Sequence, residues 1–355
     1  MSWLDPVPFL RGTAWLDEGR AVRADPGALD RLPWDTAARA ALPIGVRLEF
    51  TASPGTRALE IRYRPAAPEE AGIGAVAPDG PDGLRELAHC FALWQGDRCL
   101  RERCPEAAPA SPGEQTVVTL ELPASAGPFT VHPPETRAPV LLGLRAVGGA
   151  VAPAPRRPRW VVHGDSITEG WWATRPAYAW PAAAGRALGL DAVNLGYAGS
   201  ARGELPVAEQ LATLPADLLT LAYGTNCWSG TPFSAPLMYE TTRAFVALVR
   251  RGHPDTPLLV VSPVLRPEAE TTPNALGATL AELRTAMEEA VRDMTAGGDT
   301  RLSLLPGRDV LGPEHLMDGL HPDDAGHARI AAAVVRAMRP LRAAADGSGV
   351  RHAVG

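Results

Sequence analysis

Over the first 150 residues, apolar side chains fall into short runs separated by turn residues. Gly45 to Thr51, Ala58 to Arg64, Cys90 to Trp94, Thr116 to Leu122, Phe129 to His132 and Val140 to Val147 are rich in β-branched and aromatic types. Several alternate, as in Leu59-Glu60-Ile61-Arg62-Tyr63-Arg64, which places one face inward and one outward. This pattern predicts an all-β sandwich over residues 1–150. Residues 151–158 (VAPAPRRP) read as a stiff, proline-rich linker. Beyond it, five apolar runs, Trp160 to His163, Ala192 to Leu195, Leu218 to Tyr223, Leu258 to Ser262 and Leu302 to Leu305, alternate with helical periodicity near 178–189, 203–213, 237–252, 275–295 and 324–340. Strands alternating with helices predict a doubly wound α/β domain over 159–341, with a parallel five-stranded sheet and ligands outside the carboxyl ends of its strands. The last residues, 342–355, read as a loose tail.

Composition narrows the class of protein. A chain of 355 residues is long enough for two cored domains. A formal net charge of −6 gives no basic footprint for nucleic acid. All 34 basic residues are arginine, and with the many Ala, Gly and Pro residues this reads as the coding bias of a GC-rich genome. The start, Met1-Ser2-Trp3-Leu4-Asp5-Pro6, has no basic stretch followed by an apolar one, and no run reaches the length of a membrane span, so a cytoplasmic protein without membrane partners is expected. Cys90, Cys99, Cys104 and Cys227 lack the paired spacing of a zinc site and are expected as reduced thiols, with a Cys99 to Cys104 bridge as the alternative in an exported protein. No metal or organic cofactor is implied, and the oligomeric state is left open.

Chemistry concentrates where the α/β strands end. The run Trp160-Val161-Val162 breaks into Gly164-Asp165-Ser166-Ile167-Thr168-Glu169-Gly170, which presents a serine on a strand-to-helix turn. A serine hydroxyl needs a base to become a nucleophile. His321, in Asp318-Gly319-Leu320-His321-Pro322, is the candidate base, and Asp318, three residues before it, is placed to hold its ring. Taken alone, this Asp, Gly and Pro stretch also reads as an ordinary solvated loop. Gly196, ending Ala192-Val193-Asn194-Leu195, offers a backbone N–H, and Asn226, in Gly224-Thr225-Asn226, offers a side-chain amide. Such uncharged donors, with the Ser166 N–H, suit an oxyanion hole, although each alone is an ordinary turn former.

Taken together and in order, Gly164-Asp165-Ser166, Gly196, Gly224-Thr225-Asn226 and Asp318-Gly319-Leu320-His321 resemble the SGNH/GDSL hydrolase superfamily over about residues 157–340. The resemblance implies a flavodoxin-like sheet. It also implies a catalytic triad of Ser166, His321 and Asp318, and an oxyanion hole built from Ser166, Gly196 and Asn226. Cys227-Trp228 stand where many relatives carry Asp after the third block. Thr168 occupies the second glycine position of a G-x-S-x-G elbow, which argues against an α/β-hydrolase. A sandwich ahead of this domain resembles carbohydrate esterase family 2 and related two-domain GDSL esterases, which implies a jelly-roll-like first domain. That domain serves recognition in one reading, and stability or dimerisation in the other.

Aromatic residues near the blocks bear on the substrate. Trp171, Trp172, Tyr197 and Trp228 are candidate walls for an acyl group or a sugar, while Trp180, within a helix, reads as core. Arg202 suits a salt bridge, and Asp165 suits a cap on its own turn. His163, His315 and His327 flank the blocks without a carboxylate at a useful offset. The expected function is a serine esterase acting through an acyl-enzyme on a small-molecule or sugar ester. The alternatives are sugar O-deacetylation, acyl or thioester transfer in a biosynthetic pathway, and a catalytically silent carbohydrate-binding protein.

Overall fold

The computed structural model describes residues 2–64, 66, 90–104, 114–125, 127–135 and 138–349. The chain divides into two compact units. The first takes in Met1–Leu29, Ala37–Arg157 and Thr174–Ala177, and the second Asp30–Thr36, Pro158–Ala173 and Tyr178–Gly355. Asp30–Thr36, early in the chain, thus belongs with the later unit.

In the first unit, β1 (Leu10–Arg11), β2 (Trp15–Asp17) and β3 (Arg20–Val22) precede α1 (Trp34–Ala40), within which the chain passes between units. There follow β4 (Arg47–Ala52), β5 (Ala58–Arg64), β6 (Phe91–Gln95), β7 (Arg98–Arg103), β8 (Thr116–Glu121), β9 (Phe129–His132), β10 (Val140–Val147) and β11 (Val151–Pro153). One antiparallel sheet runs β1-β4-β9-β6-β7 with β11 beside β4, and a second runs β10-β5-β8. Their inward residues, among them Leu48, Phe50, Leu93 and Val131 of one sheet and Leu59, Ile61, Leu120 and Leu144 of the other, share one core. The alternation in β5 has this cause: Leu59, Ile61 and Tyr63 are buried while Glu60, Arg62 and Arg64 face outward.

Three sequence expectations change here. Residues 151–153, read as linker, form β11: Val151 is buried in the sandwich core, and Pro153, which has no N–H to donate, ends the edge strand. The expectation of reduced thiols fails for Cys90 and Cys104, which form a disulfide. Phe91 pairs with Arg103, so the residues just outside that pair face each other across the hairpin. The alternative bridge is excluded by geometry, since Cys99 sits within β7 opposite Trp94, five residues from Cys104 along a strand that rises about 3.3 Å per residue.

The second unit holds β12 (Arg159–Gly164), β13 (Asp191–Gly196), β14 (Leu218–Ala222), β15 (Leu258–Val261) and β16 (Leu302–Leu305), all parallel in the order β13-β12-β14-β15-β16. Its helices are α2 (Ser166–Glu169), α3 (Trp180–Leu188), α4 (Leu205–Thr213), α5 (Ala235–Gly252), α6 (Pro267–Thr271), α7 (Leu280–Ala296) and α8 (Asp324–Gly349). Trp180, Ala184 and Leu188 of α3 and Ile330, Val334 and Met338 of α8 cover Trp160, Val162 and Leu259 of the sheet. Elsewhere α5 packs against both α4 and α7. Local chemistry sets the helix ends: Ser234 accepts the Leu237 N–H at the start of α5, and Thr279 and Glu282 form a capping box on α7. α8 runs on to Gly349, past Arg342, where a loose tail was expected, and residues 350–355 lie outside the described residues. No helix among the described residues is long and apolar enough to cross a membrane.

His327 ties α8 to α3. Its Nδ1 accepts the Trp180 N–H at 3.4 Å, so Nε2–H is left to donate to the Trp171 carbonyl at 2.9 Å. Complete burial pushes its pKa down to about 4, against the hydrogen bond to Trp171 and nearby acidic charge, which raise it.

Two measurements follow. Denatured without reductant, the protein should titrate two thiols, Cys99 and Cys227, and after reduction four, whereas four before reduction would remove the bridge. For His327, both folded and unfolded states are neutral above pH 6.5, so its contribution is complete there. Between 6.5 and about 4 only the unfolded chain takes up the proton, and stability falls as pH falls, by about 3 kcal/mol over the window. His327→Gln should melt lower than wild type at pH 8, with the gap narrowing toward pH 4. A constant gap would contradict this linkage.

Candidate active site

Parallel pairing brings three strand ends level. Gly164 sits opposite Gly196 on one side and Ala222 on the other, so the turns after β12, β13 and β14 open on one edge of the sheet. Ser166 begins α2 immediately after the first strand. Asp165 caps that helix by accepting the Ile167 N–H at 3.1 Å. Burial pushes the Asp165 carboxyl up to about 7, although the backbone N–H groups of Ile167, Asp165, Thr225 and Thr168 pull the other way.

The loop before α8 brings in the other two residues. His321 Nε2 lies 2.8 Å from Ser166 Oγ, and His321 Nδ1 lies 2.6 Å from Asp318 Oδ2. Asp318 Oδ1 also accepts the N–H groups of Leu320 at 3.0 Å and His321 at 2.8 Å, which closes the tight turn that the Asp-Gly-Leu-His spacing predicts. Burial raises the Asp318 pKa, but these hydrogen bonds and the nearby imidazole prevail and hold it below its ordinary value.

Two tryptophans brace this pair in a manner the sequence does not disclose. The Trp172 indole N–H donates to Asp318 Oδ2 at 3.1 Å, and its backbone is left-handed, with φ of 64°. A bulky residue tolerates that conformation only where its surroundings impose it. Trp171 stacks on the His321 ring with centroids 5.2 Å apart, while its indole N–H reaches Glu169. The other Glu169 oxygen accepts the Ala198 N–H at 2.8 Å, joining α2 to the turn after β13. Trp228, half-buried, donates its N–H to the Thr272 carbonyl and carries the Arg266 guanidinium 4.5 Å above its ring. Tyr197 departs from its expected place at the substrate wall: it is buried and packs against His163, an interior ring whose Nδ1–H donates to the Leu195 carbonyl. Trp180 is core, as expected.

The expected oxyanion donors divide. Asn226 Nδ2 donates one hydrogen to the Ser200 carbonyl, which fixes the amide and leaves its second hydrogen without an acceptor among the described residues. The Ser166 N–H is likewise unengaged among those residues. The Gly196 N–H is taken, because it donates to Asn194 Oδ1 at 2.8 Å, and Asn194 is itself fixed on the Thr168 carbonyl. Glycine is needed at 196 for space, since a Cβ there would lie 2.2 Å from the Glu169 nitrogen. Three residues on, the Gly199 N–H is bonded to nothing among the described residues, on an exposed position of the turn with φ of 74°.

A family model described as the GDSL-like lipase/acylhydrolase family matches residues 162–329. No curated protein matches. Among solved structures, the chain resembles a salicylyl-acyltransferase from a tetracycline biosynthetic pathway, SsfX3, at 25% identity over 94% of each chain with a TM-score of 0.76. It also resembles a putative GDSL-like lipase from Bacteroides ovatus, at 21% identity over 94% of this chain and 95% of the other with a TM-score of 0.71. A family two carbohydrate esterase from Clostridium thermocellum aligns at 16% identity over 83% and 91%, with a TM-score of 0.59. The last two likenesses are of fold. Residues 162–329 thus form a GDSL-like lipase/acylhydrolase domain, and the chain is an SGNH-type enzyme that acts on ester bonds.

Proposed function

We propose that the protein is a serine esterase working through an acyl-enzyme, with Ser166 as nucleophile, His321 as general base and acid, and Asp318 as the group that holds the imidazole. The observation that carries this reading is the unbroken relay from Ser166 Oγ through both ring nitrogens of His321 to Asp318 Oδ2. His321 takes the hydroxyl proton as Ser166 Oγ bonds to the ester carbonyl carbon, then returns it to the leaving alcohol as the C–O bond breaks. Water repeats the sequence and releases the acid. The negative oxygen of each tetrahedral intermediate is met by the Ser166 and Gly199 N–H groups and by the Asn226 amide. Half-buried Trp228, with Arg266 on its ring, and the outer edges of Trp171 and Trp172 remain the candidate contacts for the acyl and alcohol groups.

A second reading is favoured by one comparison: the structure similar at 25% identity over nearly the whole chain is an acyltransferase. In that reading an acceptor hydroxyl, deprotonated by His321, replaces water at the acyl-enzyme and yields a new ester. The first step is unchanged.

Ser166→Ala should abolish both ester turnover and labelling by a fluorophosphonate probe, and a variant that still takes the label would remove Ser166 from the mechanism. Asn226→Ala should lower kcat by about 10² to 10³ with KM little altered, because the amide acts on charge that appears only in the transition state. A change in KM alone would assign Asn226 to ground-state binding. To separate water from an acceptor alcohol, an activated ester can be turned over with rising alcohol and the products weighed by mass spectrometry. Free acid at every concentration supports hydrolysis, and a new ester growing with alcohol supports transfer.

A further inference from the structure

The turn that carries Gly199 is conformationally costly. Gly199 and Ala201 are both left-handed, with φ of 74° and 60°, and Ala201 has no glycine freedom to offset this. Such a backbone persists only where neighbours hold it. Part of the restraint is local: Arg202 donates from Nη1 to the Gly199 carbonyl at 3.2 Å and from its backbone N–H to Glu204 at 2.8 Å, and Ser200 Oγ donates to Glu204 Oε1 at 3.2 Å.

The rest comes from a segment more than 160 residues away in sequence. Asp35 Oδ2 accepts from Arg202 Nη2 at 2.8 Å, the same guanidinium that grips the Gly199 carbonyl. Thr36 Oγ1 is hydrogen-bonded to Ser200 Oγ, and both hydroxyls are fully buried. With the Ser200 proton directed at Glu204, Thr36 is the donor of that pair. Ser200 is also the residue whose carbonyl orients the Asn226 amide. Asp35 and Thr36 thus hold the residues on either side of Ala201, and through them both the Gly199 peptide and the Asn226 side chain.

We propose that Asp35 and Thr36 are positioning residues of the oxyanion hole, contributed by the amino-terminal segment Asp30–Thr36 to the unit that carries Ser166. The inference rests on the reading of Gly199 and Asn226 as oxyanion donors. They touch no substrate; they act by fixing Arg202 and Ser200, so the donors stand in place before charge develops.

The test uses the full chain. Thr36→Val is isosteric and removes only the hydroxyl, Thr36→Ser keeps it, and Asp35→Asn, at a partly exposed site, weakens the grip on Arg202 without emptying the position. Thr36→Val and Asp35→Asn should each lower kcat about tenfold with KM within twofold and little change in melting temperature, and Thr36→Ser should restore the rate. Combined with Asn226→Ala, the Thr36→Val loss should largely disappear, because it acts through a donor already removed. If Asn226→Ala lowers kcat but Thr36→Val and Asp35→Asn do not, or if the Thr36→Val and Asn226→Ala losses multiply in full, the positioning role is wrong. If Asn226→Ala leaves kcat intact, the oxyanion assignment itself falls and takes the proposal with it. Should Thr36→Val fail to fold, Asp35→Asn decides alone: a loss of about tenfold in kcat at unchanged KM and melting temperature supports the role, and an unaltered kcat overturns it.

Discussion

The register in which β12 lies between β13 and β14 governs the chemistry of the second unit. With Gly164 level with Gly196 and Ala222, three successive turns begin at one height, and the chain has no freedom to offset one from another without breaking a ladder of hydrogen bonds. The cover of that sheet by α3 and α8 fixes the register, because sliding β12 by one residue would turn Trp160 and Val162 out of the apolar layer they share with Trp180 and Val334. Gly196 then admits the α2 backbone at a distance no side chain would permit. Core packing and site geometry are in this sense one constraint.

What sequence discloses and what it conceals follow from the range of the interactions involved. The β12 to β15 strands are legible because each is a short apolar run buried on both faces, and the Asp318 to His321 turn is legible because it is local. β7 is hidden: it lies at the edge of its sheet and carries the charged residues that edges favour, so no apolar run betrays it. The Cys90 to Cys104 bridge depends on a hairpin register that only the folded pair defines. That the Gly196 N–H is occupied is likewise hidden, because it depends on the Asn194 side chain folding back onto it.

Around His321 and Asp318 the protein spends aromatic residues on support. Asp318 receives hydrogen bonds from two backbone groups, an imidazole and an indole, which leaves its carboxylate little room to turn. The strain at Trp172 is the cost of placing that indole. Candidate substrate walls therefore double as scaffolding, and a change at either tryptophan alters the His321–Asp318 pair before it alters a pocket.

The hydroxyl pair of Thr36 and Ser200 closes a loop of 164 residues, and His321 meets Ser166 across another 155. During synthesis the chain emerges with Thr36 early, Ser166 midway and His321 near the end, so the sheet can assemble while its active edge is still unfinished. Closing such loops costs entropy that grows only with the logarithm of their length, which makes the distances affordable but leaves the closures late. Under the proposed mechanism, turnover in a refolding chain marks the moment these remote ends meet, a later event than the appearance of secondary structure.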